Sequence, residues 1–117
     1  RVSVAQINLW RPMSGPVKRS PLALLDASTL DSNDLLATDL VYPDRIGEIY
    51  HLAYNPQQRW YYFPDMRRDE VLLIKGYDSR HDGRARFTPH TAFKDPNTPP
   101  GAPPRESIEV RTLAFFD

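Results

Sequence analysis

Apolar and polar positions alternate at the start of the chain. Within Val2–Trp10, Val2, Val4, Gln6 and Asn8 fall on one side and Ala5, Ile7 and Leu9 on the other, a period of two that predicts a strand. Arg11 to Pro16 carries two prolines, a serine and a glycine and reads as a turn or loop. A short apolar run, Pro21–Leu25, is followed by a stretch rich in turn and cap residues, Asp26–Asp34. Asp31-Ser32-Asn33-Asp34 fits the cap of a helical turn, whereas Leu35–Tyr42 is equally compatible with extended chain, so its state stays open.

Further along, Glu48–Tyr54 and Arg59–Phe63 flank the four loop residues Asn55-Pro56-Gln57-Gln58, which predicts an antiparallel hairpin. In its second arm Trp60 and Tyr62 face one side, Tyr61 and Phe63 the other. Aromatics on both sides predict a ribbon covered on both faces; the functional alternative puts Tyr61 or Trp60 at the mouth of a site. Asp69–Lys75 holds a continuous apolar run too short for a lone helix and reads as a buried strand, although helix propensity disagrees. Tyr77–Gly83 is a polar loop in which Asp78 and Ser79 suit a turn. Arg84–Thr88 is strand-like and delivers His90, Pro96–Pro104 is loop, and Arg105–Leu113 is a last strand. On that strand Arg105, Ser107, Glu109 and Arg111 share one face while Ile108 and Val110 take the other. About six strands with little helix make the fold mainly β.

Composition narrows the classes. At 117 residues, one domain over 1–117 is expected. The chain is 40% hydrophobic and 26% charged, which is globular rather than disordered. Fifteen basic residues balance fifteen acidic ones, so there is no electrostatic case for nucleic acid or an acidic membrane. No cysteine is present, which removes disulfides, thiolate metal sites and a cysteine nucleophile and fits a cytoplasmic setting. Neither an apolar run of membrane length nor a signal pattern occurs. Arg1 opens the chain inside an apolar alternation, and a preceding portion is expected. No nucleophile elbow or Gly-rich phosphate loop is found.

The remaining chemistry is carried by histidine and by an Arg-x-Ser triplet. A guanidinium fork beside a hydroxyl grips a carboxylate bidentately and adds a third hydrogen bond. Arg105 with Ser107 offers that pair, and His90 on the strand before it suggests a metal that also binds a keto acid. The arrangement resembles the end of the iron and 2-oxoglutarate oxygenases. Arg111 is six residues from Arg105, about 20 Å along a strand, so both cannot grip one keto acid. Arg105, nearer His90 and paired with Ser107, is the candidate; the bland reading makes Arg105, Glu109 and Arg111 solvated charges on one face. His81 sits in a polar loop and His51 within a strand, and neither is preferred as a ligand.

Taken in order, NLWRP (Asn8–Pro12), PLALLDAST (Pro21–Thr29), RWYYFPDM (Arg59–Met66), DEVLLIKGYDS (Asp69–Ser79), PHTAF (Pro89–Phe93) and PRESIEVR (Pro104–Arg111) resemble the fungal hydroxylase/desaturase family, which includes AsaB-type and cephem-methoxylase-like (CmcJ-type) proteins. The likeness runs over nearly all the chain and corresponds to the C-terminal part of the family's usual length. It implies a partial double-stranded β-helix (a cupin-like jelly roll) lacking N-terminal strands, since that fold needs eight. It also implies Fe(II) and 2-oxoglutarate as cofactors, with His90 as the distal metal ligand and Arg105 and Ser107 binding the keto acid. The activity implied is hydroxylation or desaturation of a small secondary metabolite. Such enzymes use two His and one carboxylate, two of them in a His-x-Asp or His-x-Glu pair. His51 is followed by Leu52-Ala53, His81 by Asp82-Gly83 and His90 by Thr91-Ala92, so the pair is expected upstream. The alternative is a catalytically inactive truncated β-domain or pseudoenzyme that binds a small molecule or a protein partner.

Overall fold

A computed structural model describes residues 2–117. Eight strands follow one another: β1 (Ser3–Pro12), β2 (Leu22–Leu25), β3 (Leu35–Val41), β4 (Ile46–Leu52), β5 (Trp60–Tyr62), β6 (Leu72–Asp78), β7 (His90–Ala92) and β8 (Ser107–Phe116). Two single 3-10 turns, Ala27–Thr29 and Ser32–Asp34, are the helical content. Asp26 caps the first by accepting from Ser28 N at 3.0 Å, and Asp31 caps the second by accepting from Asn33 N at 2.9 Å. Carboxylates at these positions satisfy backbone donors that would otherwise go unpaired.

Six strands build two three-stranded antiparallel sheets, ordered β6-β1-β8 and β5-β2-β7, and β3 with β4 forms a separate hairpin between β2 and β5. β1 is the spine: it pairs with β8 along ten consecutive residues and with β6 along six, with a bulge where Gln6 meets Tyr77 and Ile7 meets Lys75. Trp10 and Ile74 from the first sheet form the core with Val17 and Met66 from the connections; Leu22 and Leu24 of β2 pack against it from the second sheet. The two sheets therefore face each other across one apolar layer, as a partial double-stranded β-helix requires. Pleating sends Asn8, Trp10 and Pro12 inward, all buried, and leaves Arg11 exposed. β7 and β8 are edge strands of their sheets. None of the described helices is long and apolar enough to cross a membrane.

Four local expectations are corrected. The hairpin between Glu48–Tyr54 and Arg59–Phe63 does not form: β4 pairs with β3 over seven residues, whereas β5 pairs with β2 over three. Tyr42 N donates to Arg45 O at 2.9 Å and closes the β3–β4 turn, so the longer ladder captures β4. Asn55–Gln58 still turns, with Gln58 N to Asn55 O at 3.0 Å, but Asn55 Nδ2 is tied to Asp34 Oδ2 at 2.9 Å and the chain leaves for the other sheet. The aromatic ribbon is not covered on both faces. Tyr61 and Phe63 are each 57% exposed, because β5 is a short edge strand whose main aromatic contact is Tyr62 edge-on to Phe93 at 5.0 Å.

The apolar run after Asp69 is a strand, but it begins at Leu72 and buries one face: Ile74 is 1% exposed and Leu73 67%. Arg84–Thr88 is not a strand. Side-chain bonds rather than a ladder tie it to β6, with Lys75 Nζ donating to Ala85 O and Arg86 Nε donating to Asp78 O, and pairing resumes at His90.

Candidate functional site

His90 opens β7 directly opposite Leu24 of β2. Directly opposed residues in an antiparallel pair share a face, and Leu24 packs on the core, so the imidazole stands on the inner face of its sheet at an exposed edge. Its Nδ1 lies 2.9 Å from the Thr88 carbonyl oxygen. A carbonyl only accepts, so Nδ1 carries a proton and Nε2 is the nitrogen left for another partner. Backbone carbonyls fix metal-binding imidazoles in this same way.

Arg105 lies just before β8, with its Cζ 5.5 Å from the centroid of the Trp10 ring. Its Nη1 donates to the Ser20 carbonyl at 2.6 Å. Ser107 stands opposite Pro12, Glu109 opposite Trp10 and Arg111 opposite Asn8, which places the three β8 side chains on the inner face of the other sheet. His90 and Arg105 thus belong to different sheets, the first beside Leu24 and the second beside Trp10 and the Ser20 carbonyl. Arg111 is differently placed: its side chain is 74% exposed and its Nε lies 3.6 Å from Glu109 Oε1. Glu109 also accepts from Asn8 Nδ2 at 2.9 Å.

The loop that delivers His90 is tethered at the end of β6. Asp78, 5% exposed, accepts from Lys75 Nζ at 2.8 Å and from Arg80 N at 2.9 Å. The Lys75 hydrogen bond, helped by the Arg80 amide and by the nearby Lys75 and Arg84 charges, holds its carboxyl below the ordinary value of 3.8 despite its burial. Asp82 is lowered as well, chiefly by Arg84, which grips both its oxygens at 2.7 and 2.8 Å. The turn expected at Asp78-Ser79 does not form: Asp78 ends β6 opposite Ala5, and Ser79 goes on bonding to β1, its N donating to Val4 O and its Oγ accepting from Val4 N, both at 2.9 Å. His51 contacts Thr38 Oγ1 at 3.0 Å on the separate hairpin, and His81 is exposed in the loop; neither joins His90. Among the described residues no group of three His, Asp or Glu could hold a metal ion. The chain therefore offers a single imidazole at His90 on one sheet, and a guanidinium at Arg105 with a hydroxyl at Ser107 where β8 begins.

Sequence reasoning missed Trp10, Ser20 and Lys75. Trp10 lies 95 residues from Arg105, Ser20 acts through its backbone, and Lys75, three residues from Asp78, reads in sequence as an ordinary strand lysine.

The chain matches, over residues 1–115, the family described as oxidoreductase/YMDC permease-like domain. It is 45% identical over 128 residues to hydroxylase/desaturase asaB of Aspergillus flavus, covering 97% of this chain and 56% of that protein. Against the Fe(II)/2-oxoglutarate-dependent dioxygenase nvfI of Aspergillus novofumigatus it is 42% identical over 110 residues, covering 92% and 39%. A solved structure, the iron and alpha-ketoglutarate-dependent endoperoxidase NvfI, superposes with a TM-score of 0.90 at 37% identity, covering 97% of this chain and 42% of that one. The chain spans about half the length, or less, of these relatives.

Proposed function

The chain belongs to the oxidoreductase/YMDC permease-like domain family, and from that premise we propose that it is the C-terminal part of a larger oxygenase-like domain, a Fe(II)/2-oxoglutarate-dependent hydroxylase or desaturase acting on a small secondary metabolite. The relatives named hydroxylase/desaturase and dioxygenase bear out the family resemblance. One observation carries the functional reading. The imidazole of His90, with Nδ1 engaged by Thr88 O and Nε2 unengaged, is on the inner face of one sheet, and the Arg105 fork lies against Trp10 of the facing one. Fe(II) with 2-oxoglutarate supplies the activation of O2 that removes a hydrogen from the substrate. His90 would hold the metal, Arg105 would grip the far carboxylate of the keto acid and Ser107 would add a neutral hydrogen bond. The surrounding apolar layer excludes water from the reacting atoms. The balanced charge and the absence of cysteine suit a cytoplasmic enzyme with a small-molecule substrate.

A second reading, a non-catalytic β-domain that binds a small molecule or a partner, is favoured by the single ligand-grade histidine among the described residues. One experiment separates the two. Express the chain within its longest reading frame, load Fe(II) anaerobically, and record the visible charge-transfer band that 2-oxoglutarate gives when it chelates iron. The oxygenase reading expects the band and its loss in His90→Ala. Its absence in a folded protein gives the non-catalytic reading.

A further inference from the structure

Arg105 is a half-buried cation without a counter-ion. None of the ion pairs among the described residues includes it. Two neutral groups fix it instead: the Trp10 ring, with Cζ 5.5 Å from its centroid, and the Ser20 carbonyl, 2.6 Å from Nη1. Trp10 is 4% exposed and packs in the core with Val17, Met66 and Ile74. It stands in the central strand between Leu72 of β6 and Glu109 of β8, so its ring has no room to swing. Ser20 holds φ at 53°, a left-handed backbone that a residue other than glycine keeps only when its surroundings enforce it. A long side chain free on a strand end samples many rotamers, and each must be given up to grip a planar carboxylate. The Ser20 bond uses one of five N–H donors and leaves others for an anion.

We propose that Trp10 is a positioning residue: its indole face, with the Ser20 carbonyl, pre-sets the Arg105 fork for the distal carboxylate of a keto diacid. The assignment rests on the keto-acid reading above and adds to it the group that fixes the plane of the clamp. The indole attracts the guanidinium through its ring quadrupole, and the neutral partners leave the positive charge uncompensated until the diacid arrives.

The test needs no metal and no turnover. Take the 117-residue chain with Trp60→Phe, so that Trp10 is the single tryptophan, and introduce tryptophans carrying one to three ring fluorines. Fluorination nearly preserves shape while draining the ring face, so the core stays packed. By NMR, the Arg105 Nε–H signal should grow more mobile along the series. The concentration of 2-oxoglutarate that half-shifts this signal should rise about threefold or more. Glutarate should move the signal in the same way, and 2-oxobutyrate, which lacks the second carboxylate, should not. Trp10→Phe should keep most of the effect because it retains an aromatic face. A purely structural role for Trp10 would alter melting along the series without changing the diacid response. An unchanged Arg105 signal and unchanged half-shift across the fluorine series would overturn the role of Trp10 while leaving Arg105 as the clamp. Failure of 2-oxoglutarate, at concentrations on the order of tens of millimolar, to move the signal in the unsubstituted chain overturns the keto-acid reading, and the role of Trp10 with it.

Discussion

The Nδ1 atom of His90 is bonded to the carbonyl of Thr88, two residues earlier in the same segment, at 2.9 Å. The backbone that carries the imidazole thereby decides which nitrogen is free. A single imidazole leaves most coordination positions to water, so the 117-residue chain alone should bind Fe(II) or Mn(II) weakly. Anaerobic calorimetry checks this. Tight one-to-one binding abolished by His90→Ala would show that a second ligand exists, with His81 or Asp82 the first candidates.

Arg105 and Arg111 lie on one side of the last strand region but in different surroundings, one stacked on Trp10 and the other solvated beside Glu109. In a form of the protein that turns over, Arg105→Lys should weaken 2-oxoglutarate more than Arg111→Lys does. Lysine keeps the charge and loses the fork, which is worth about 1.5–3 kcal/mol, or roughly ten- to a hundredfold in affinity. Ser107→Ala should cost less, on the order of 1 kcal/mol. Apparent affinities for 2-oxoglutarate at saturating metal decide the order. A crippled Arg111→Lys beside a near-normal Arg105→Lys would move the clamp toward Glu109.

Asp78 ties the His90 loop to β6, and its carboxyl is held below 3.8 chiefly by Lys75. The folded value lies below the unfolded one, so the stabilisation is complete above about pH 4 and disappears as pH falls through the lowered value. Asp78→Asn should therefore flatten stability against pH in that acid window, with Asp26 and Asp82 supplying the residual slope. Urea midpoints at a series of acid pH values measure it. An acid slope identical to that of the unsubstituted chain would show that Asp78 does not anchor the loop.

Ile74 is 1% exposed at the centre of the core, and its neighbour Leu73 is 67% exposed. Ile74→Ala should cost about 2–5 kcal/mol and Leu73→Ala no more than about 0.5 kcal/mol. Urea denaturation compares them; equal losses would mean that the outer face of β6 is covered in solution.

Much of this architecture is legible in the sequence because local alternation encodes strands. The runs Val2–Trp10 and Arg105–Leu113 overlap β1 and β8, since each side of such a strand meets a different environment, although β1 runs on through Pro12 and β8 starts at Ser107 and ends at Phe116. The caps at Asp26 and Asp31 are equally local. Pairing is another matter. The Asn55–Gln58 turn is present, yet β4 belongs to β3, because the partner is chosen by the length of ladder each candidate offers and by the tie from Asn55 to Asp34. His90, Arg105 and Ser107 were reached through their order in the chain and through resemblance. Trp10 gave no such signal, since an indole that supports a guanidinium 95 residues away looks like any other core aromatic until the register of β1 with β8 is known.

That register has a temporal consequence. Ser3 pairs with Phe116 and Pro12 with Ser107, so the spine strand waits for its second neighbour until almost all of the described chain exists. Closing so long a loop is slow, and sheets dominated by distant pairs fold slowly. During synthesis the segment holding Trp10 emerges well before β8 and keeps one edge unpaired, open to misassociation with other strands. A chain halted anywhere between residues 20 and 105 carries Trp10 and Ser20 and lacks the guanidinium that rests on them.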